Sequence, residues 1–357
     1  MRLKKYMIPI LFCVLGCMLL LAGCGKSDSK KEPETKTVTV TDCIGRGVEL
    51  PQPLDKVVIL NSDVAEAMRI LKVQDTVVGV SETVKKDPYL GMEDKELIGK
   101  WDKPSYEKIV ELKPQVVISY SKWPGEELAE KLEPAGVKVV HLDLYKPETY
   151  DNDFKTLGKM FGQEKKADSF LKWKAEKIAT LDKVKDLPSD KRVKVFFMTI
   201  SNFEKEKWGT FGSGTAAHQG IEMAGGNNVA RELKDYPDVS PEWILQQNPE
   251  VLVFADTAED YLGFKITDFG NVEILKDKIT KNKVFSKTDA VQKDRIYLIR
   301  RTLVGADKTY LGALYLAKWF YPDQFKDLDP DKVLKEYYEK WLDIPFQGKW
   351  AYPPVSK

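Results

Sequence analysis

The chain has 357 residues, 43% hydrophobic and 31% charged, a globular composition with length for two domains. Its formal net charge of +1 excludes the strong basic excess of a dedicated nucleic-acid binder. Two histidines, His141 and His218, exclude a site built from several imidazole ligands.

Residues 1–5 (MRLKK) are short and positive, 6–21 are apolar, and 21–24 (LAGC) close the run with small residues before a cysteine. That order is a secretory signal peptide, expected over 1–23. The run is short for a bilayer span and ends at a cleavage-like site. LAGC resembles the lipobox of bacterial lipoproteins. The resemblance implies cleavage before Cys24 and a diacylglyceryl thioether on it, a two-chain anchor that is stable where one chain is marginal. Residues 24–36 are polar and charged, as a flexible tether requires. Cys13 and Cys17 fall in the discarded segment, which leaves Cys43 as the free thiol. It reads best as a small buried hydrophobe.

Residues 37–41 (TVTVT) and 47–50 flank the turn 42–46 and predict a hairpin. Strands are expected at 56–60 (KVVIL), 76–80 (TVVGV), 115–119 (QVVIS) and 137–141 (VKVVH). Helices are expected between them at 63–71, 105–112 and 126–132, with Pro114 and Pro134 as stops. A further helix is expected at 148–161. Residues 163–184 (QEKKADSFLKWKAEKIATLDKV) predict one uninterrupted amphipathic helix: Ala167, Phe170, Leu171, Ile178, Leu181 and Val184 recur near a 3.6-residue period. After it, strands are expected at 192–198, 250–255 and 295–299. Helices are expected at 215–224, 240–247, 309–320 and 331–341. Residues 207–214 (KWGTFGSG) form a Gly-rich loop.

Strand and helix alternate with short connections, the pattern of a mainly parallel sheet covered on both faces. The halves also look duplicated. Ser105-x-Glu107-x-Ile109 runs to Pro114 and a β-branched strand; Ser240-x-Glu242-x-Ile244 runs to Pro249 and another. Each Glu precedes its Pro by seven residues. The expected fold is α/β, with two lobes, each a mainly parallel sheet flanked by helices, joined by a single long helix. The ligand cleft lies between the lobes. The expected boundaries are 37–162 for the N-terminal lobe, 163–184 for the linking helix and 185–357 for the C-terminal lobe.

The stretches TDCIGRGVELPQPLDKVVIL, VVGV, PSYEKIVELKPQVVIS and LEPAGVKVVHLD, followed by MAGGNNVA, VSPEWILQQNPEVLVF and DRIYLI, resemble the substrate-binding proteins of bacterial ABC importers for iron complexes and cobalamin. The resemblance covers nearly all of 38–352. It implies a non-enzymatic, extracytoplasmic, lipid-anchored monomer that delivers a bulky metal complex to a permease dimer with its ATPase. The ferric complex is cargo, and no resident cofactor is implied. Glu107 and Glu242 match the family's paired glutamates, one per lobe, that pair with permease arginines.

In α/β lobes, ligands bind beyond the carboxyl ends of the strands. That rule selects Asn61, Ser62, Ser81, Lys100 and Trp101, then Tyr120, Ser121, Lys122 and Trp123. In the second half it selects Thr199, Ser201, Asn202, Asp256, Thr257, Arg300, Arg301 and Thr302, with Trp208 and Phe211 from the Gly-rich loop. The basic and aromatic subset is Lys100, Trp101, Tyr120, Lys122, Trp123, Trp208, Arg300 and Arg301. Arg and Lys pair with oxygen-rich anions and aromatic rings cover flat faces, which favours a ferric siderophore over cobalamin. A haem receptor of the same family would use an axial pair such as His218 with Tyr120 or Met198. His141 reads as a packing residue. A secreted lipoprotein hydrolase is the reading from another class, but no nucleophile elbow, metalloprotease motif or P-loop supports it. A bare zinc or manganese receptor lacks the histidines, and a pure adaptor would lack a pocket.

Overall fold

The structure is a computed structural model that describes residues 36–305 and 307–355. The expected signal peptide and Cys24 lie outside the described residues.

A hairpin comes first: β1 (Thr37–Thr41) pairs antiparallel with β2 (Gly47–Pro51). The first sheet contains β3 (Val57–Ile59), β4 (Val77–Val80), β5 (Glu96–Leu97), β6 (Val116–Ser119) and β7 (Lys138–His141). Its order is β5-β4-β3-β6-β7, all parallel. The second sheet contains β8 (Lys194–Thr199), β9 (Asn227–Asn228), β10 (Val251–Asp256), β11 (Ile296–Arg300) and β12 (Ala351–Tyr352). Its order is β12-β11-β10-β8-β9, parallel apart from β12. These are the two lobes that the alternation predicts. The strands β5, β9 and β12 are too short, at two residues each, to carry a period-2 signal.

Runs such as VVIS and VLVFAD are buried throughout because helices cover both faces of each sheet. Alternate residues feed different cores. Val57 and Ile59 join the largest core, whereas Val58 and Leu60 join a smaller one on the opposite face. In the second sheet Val195 and Phe197 join the largest core, and Phe196 and Met198 a third cluster. The largest core is therefore continuous from one sheet to the other, through the helices packed between them.

The helix expected at 163–184 runs over Glu164–Ala179, about 24 Å at 1.5 Å per residue. A second, short helix follows at Asp182–Lys185. The ladder breaks because Thr180 Oγ1 bonds the Lys177 carbonyl at 2.7 Å. The following amides then take i→i−3 partners, Leu181 to Ile178 and Val184 to Leu181. Ala167, Phe170, Leu171, Leu181 and Val184 are buried as the period implies, Ile178 is half-buried, and Trp173 and Lys174 are buried beside them. Phe170 stacks on Phe154 at 4.8 Å, and Trp173 stacks on Tyr337 at 6.1 Å. A Cβ at Gly158 would stand 2.7 Å from the Ala167 methyl, so helix Tyr150–Met160 approaches this helix closely.

Besides the short helices Glu82–Lys86, Ile200–Glu204 and Asp289–Gln292, two features escaped the sequence reading. Helix Gly270–Lys281 lies in a stretch assigned no element, although Val272, Leu275 and Ile279 have helical spacing and are buried. At the C-terminus, helix Pro330–Glu336 widens into a π-helical turn at Tyr337–Leu342. That turn returns to the first lobe: Tyr337 donates its hydroxyl to Glu66 at 2.6 Å, and Arg69 donates to the Leu342 carbonyl at 3.0 Å.

Candidate functional site

The order of the first sheet reverses between β3 and β6, and that switch point is where a parallel sheet opens a crevice. Ser62 follows β3 and Tyr120 follows β6, and both line an inter-lobe cavity of about 550 Å³. Trp101, Trp123 and Tyr145 join Tyr120 in one aromatic wall. Trp101 meets Tyr120 edge-on at 5.6 Å and Trp123 at 6.2 Å, while Tyr145 meets Tyr120 at 5.4 Å. Gly214, Ala216, Gln219, Tyr236 and Gly305 approach from the second half of the chain. Gln219 donates to Glu148 at 3.1 Å, which ties the two halves together beside the cavity.

Asp143 braces the wall from behind. Its carboxylate accepts from the Ser121 amide at 2.9 Å, the Ser121 hydroxyl at 2.5 Å and the Lys146 ammonium at 2.7 Å. Burial would raise this carboxyl, but the Lys146 and Ser121 bonds outweigh it and hold it below the ordinary range. Lys122 lies 4.5 Å from the Trp123 ring centre.

Arg301 stands at the opposite edge. Its guanidinium packs over Gly305 and lies 5.1 Å from the Phe211 ring centre, near Tyr236. Among the described residues no carboxylate lies within ion-pair distance of it. Burial lowers its pKa, and the Tyr236 phenol acts in the opposite direction. A desolvated guanidinium without a counter-charge is costly, and an incoming anion would remove that cost.

Beneath the floor lies a buried acidic cluster. Lys308 bonds Glu66 at 2.5 Å and Asp307 at 3.1 Å, joining the helix Ser62–Leu71 to the segment before the helix Thr309–Phe320. Burial raises the Glu66 carboxyl and Lys308 pulls it back. Burial works against the Lys308 charge, but the two acids outweigh it and push the ammonium above its usual range. Asp63 is 5% exposed, and neither carboxylate oxygen has a hydrogen bond of full geometry, although the Tyr120 hydroxyl adjoins it. Burial, then Asp307, raises Asp63 to about 8.

Of the expected ligand residues, Trp101, Tyr120, Lys122 and Trp123 line the cavity, and Arg301 borders it. Lys100, Trp208 and Arg300 do not. Lys100 is exposed outside the cavity. Trp208 packs on Phe285 at 5.6 Å, against the second-lobe core. Arg300 donates to the Asp256 carbonyl at 3.0 Å and lies 3.9 Å from Glu259. The strand-end rule also fails for Asp256 and Thr199, because local structure consumes both. The Asp256 carboxylate caps the amides of Ala258, Glu259, Tyr261 and Leu262, and Thr199 caps the Asn202 amide. Tyr145 and Glu148 were missed, yet they follow β7, where the same rule would have found Tyr145. Tyr236 lies in a loop with no periodic signal.

His141 is fully buried with Nδ1 at 2.9 Å from the Ser119 hydroxyl, and burial lowers its pKa. His218 Nδ1 lies 3.2 Å from the Asn228 amide nitrogen, and Met198 is fully buried in the second-lobe core. Neither lines the cavity, so the proposed axial pairs have no geometric support. Cys43 is half-buried, and burial, then Asp143, pushes its thiol up to about 12, the state of an inert cysteine. Glu107 and Glu242 are exposed in the first turns of helices Tyr106–Leu112 and Pro241–Gln247. Ser105 accepts from Lys108 N at 3.4 Å and Ser240 from Trp243 N at 3.1 Å, so the duplicated motif builds the same cap twice.

The periplasmic binding protein family model matches residues 57–303, which covers the first sheet, the second sheet apart from β12, and the cavity lining apart from Gly305. The chain belongs to the periplasmic binding protein family. It is an extracytoplasmic substrate-binding component of an ABC importer and not an enzyme. Among relatives, it is 27% identical over 341 residues to the molybdate-binding protein MolA of Haemophilus influenzae, covering 86% of this chain and 92% of that one. It is 25% identical over 310 residues to the iron-uptake system-binding protein of Bacillus subtilis, covering 83% and 91%. The crystal structure of the TroA-like periplasmic binding protein FepB from Veillonella parvula shares the fold, with a TM-score of 0.76 at 23% identity, covering 88% of this chain and 99% of that one. Among the described residues no helix of this binding protein is long and apolar enough to cross a membrane.

Proposed function

We propose that this binding protein captures a ferric siderophore and delivers it to its permease while anchored to the membrane through a lipid on Cys24. The observation that carries the ligand reading is Arg301, a desolvated guanidinium without a carboxylate partner among the described residues, packed over Gly305 at the edge of the cavity that the wall Trp101–Tyr120–Trp123–Tyr145 lines. Lys146 is bonded to Asp143, and Lys122, Glu148 and Asp235 are exposed, so Arg301 is the desolvated charge beside the cavity. Anionic oxygens pair with the guanidinium, and flat chelating rings lie on the aromatic wall. A bare tetrahedral oxyanion such as molybdate would leave that wall unused. A corrinoid would use the wall and leave Arg301 less well paired. Haem could use both through its ring and its propionates, but among the described residues no histidine or methionine lines the cavity to ligate its iron. Glu107 and Glu242 act as the two permease-docking carboxylates, each held on a capped helix.

A thermal-shift series with a ferric tris-catecholate siderophore, a ferric hydroxamate, haem, cyanocobalamin and molybdate tests the assignment. At a ligand concentration 100-fold above Kd, binding stabilises the native state by about 2.7 kcal/mol, a rise of roughly 5 °C. The tris-catecholate should give that rise. A rise with cyanocobalamin or molybdate alone would move the assignment to that ligand.

A further inference from the structure

We infer that Asp63 is a positioning residue for ligand capture: it sets the direction of the Tyr120 O–H at the cavity floor, so that the phenol donates to a ligand oxygen only while Asp63 carries a proton. The inference rests on the reading that the cavity takes an anionic, oxygen-rich ligand.

The geometry has three parts. Tyr120 and Ser62 line the cavity. Asp63 lies directly behind them, next in sequence to Ser62, with both carboxyl oxygens buried and without a full hydrogen bond. The Tyr120 hydroxyl adjoins both the Asp63 carboxyl and Ser62. An ionised carboxylate can only accept, so it would hold the phenol proton and turn the phenol lone pairs toward the ligand. A protonated carboxyl can donate to the phenol oxygen, which frees the phenol proton for an anionic oxygen in the cavity.

The surroundings favour the protonated form. Asp307, in the segment before helix Thr309–Phe320, is the like charge that faces Asp63. Lys308, the neighbouring cation, is already committed to Glu66 and Asp307. Glu66 lies one turn further along the same helix and takes a second bond from Tyr337. Tyr145, after β7, is the remaining titratable group that senses Asp63. Lys308 thus serves Glu66 and Asp307 and not Asp63, and burial leaves Asp63 as a site where a proton is retained. The binding-competent form is the protonated one. Affinity is therefore full below the Asp63 pKa and falls by about tenfold per pH unit above it.

Two measurements test this. In the ligand-free protein labelled with carbon-13 at Asp carboxyls, one carboxyl should titrate near pH 8 and be missing from Asp63→Asn. An Asp63 that titrates in the ordinary carboxylate range overturns the inference. Calorimetry from pH 7 to 9.5 then uses ferric tris(2,3-dihydroxybenzoate) as the probe. Wild-type affinity should fall about tenfold per unit above the midpoint. Asp63→Asn, whose amide donates at every pH, should be flat, and Tyr120→Phe should be weak and flat. Parallel profiles for wild type and Asp63→Asn overturn the inference. Asp307→Asn keeps Asp63 and Tyr120 in place, and should move the midpoint to lower pH. If the iron probe binds none of these proteins, the siderophore reading fails. The pH series then runs with molybdate and with cyanocobalamin, and the same two profiles decide.

Discussion

Replacing Lys308 by Met should be among the most destabilising single changes in the chain. The ammonium is 2% exposed and bonds two carboxylates that are 4% and 8% exposed. Methionine fills a similar volume and supplies no charge, so Glu66 and Asp307 become buried anions without a counter-ion. Tyr337 still donates to Glu66, which offsets part of the loss. Breaking a buried pair in this way costs about 3–5 kcal/mol. Urea unfolding followed by tryptophan fluorescence and circular dichroism measures it, and the continuous core predicts that the two signals coincide. The pH dependence has a definite sign. Burial already raises Glu66, and in the variant it loses the pull of Lys308 and rises further, so the native state binds more protons than the unfolded state. The contribution of this group falls with rising pH in both proteins up to the wild-type value, so the gap from wild type widens above about pH 7. Glu66→Gln added to Lys308→Met should recover part of the loss. A loss under about 1 kcal/mol, or a gap unchanged across that pH range, would refute the reasoning.

Three other outcomes are expected. Arg301→Gln should weaken binding of a ferric tris-catecholate by roughly tenfold to a hundredfold, the worth of a charged hydrogen bond. Its melting temperature should hold or rise, because an unpaired desolvated charge is removed; paired calorimetry and melting check both. Asp63 in wild type keeps its proton up to about pH 8, whereas the unfolded chain releases it near pH 4. Wild-type stability should therefore lose about 1.4 kcal/mol per pH unit across that window from this group, and Asp63→Asn should gain on wild type by the same slope in urea midpoints. Charge reversal at both Glu107 and Glu242 should abolish uptake of the iron complex by cells while ligand affinity is retained. Persistent uptake would reject the docking role.

Periodicity was a good guide wherever burial follows it. The alternation of strand and helix located both sheets, and the repeated Ser-x-Glu-x-Ile motif recurs as two capped helices leading to central strands. It failed where a side chain finds a local partner. Thr180 ends the long helix through its own hydroxyl, a competition that hydropathy does not register. The first-lobe wall was legible because the switch point places Tyr120 at a strand end. The second-lobe edge was not, because Asp256 and Thr199 spend their side chains on caps and leave the cavity to Gln219, Tyr236 and Gly305. The acidic cluster joins residues more than 240 positions apart, and no spacing rule links Glu66 to Lys308.

The most direct test is a calorimetric titration of the mature chain with a ferric tris-catecholate siderophore, in wild type and in the double variant Trp101→Ala/Arg301→Gln. The cavity between the aromatic wall and Arg301 predicts one saturable site per chain in wild type and severe loss of binding in the double variant. No heat from wild type, or binding undiminished when both residues are replaced, would contradict it.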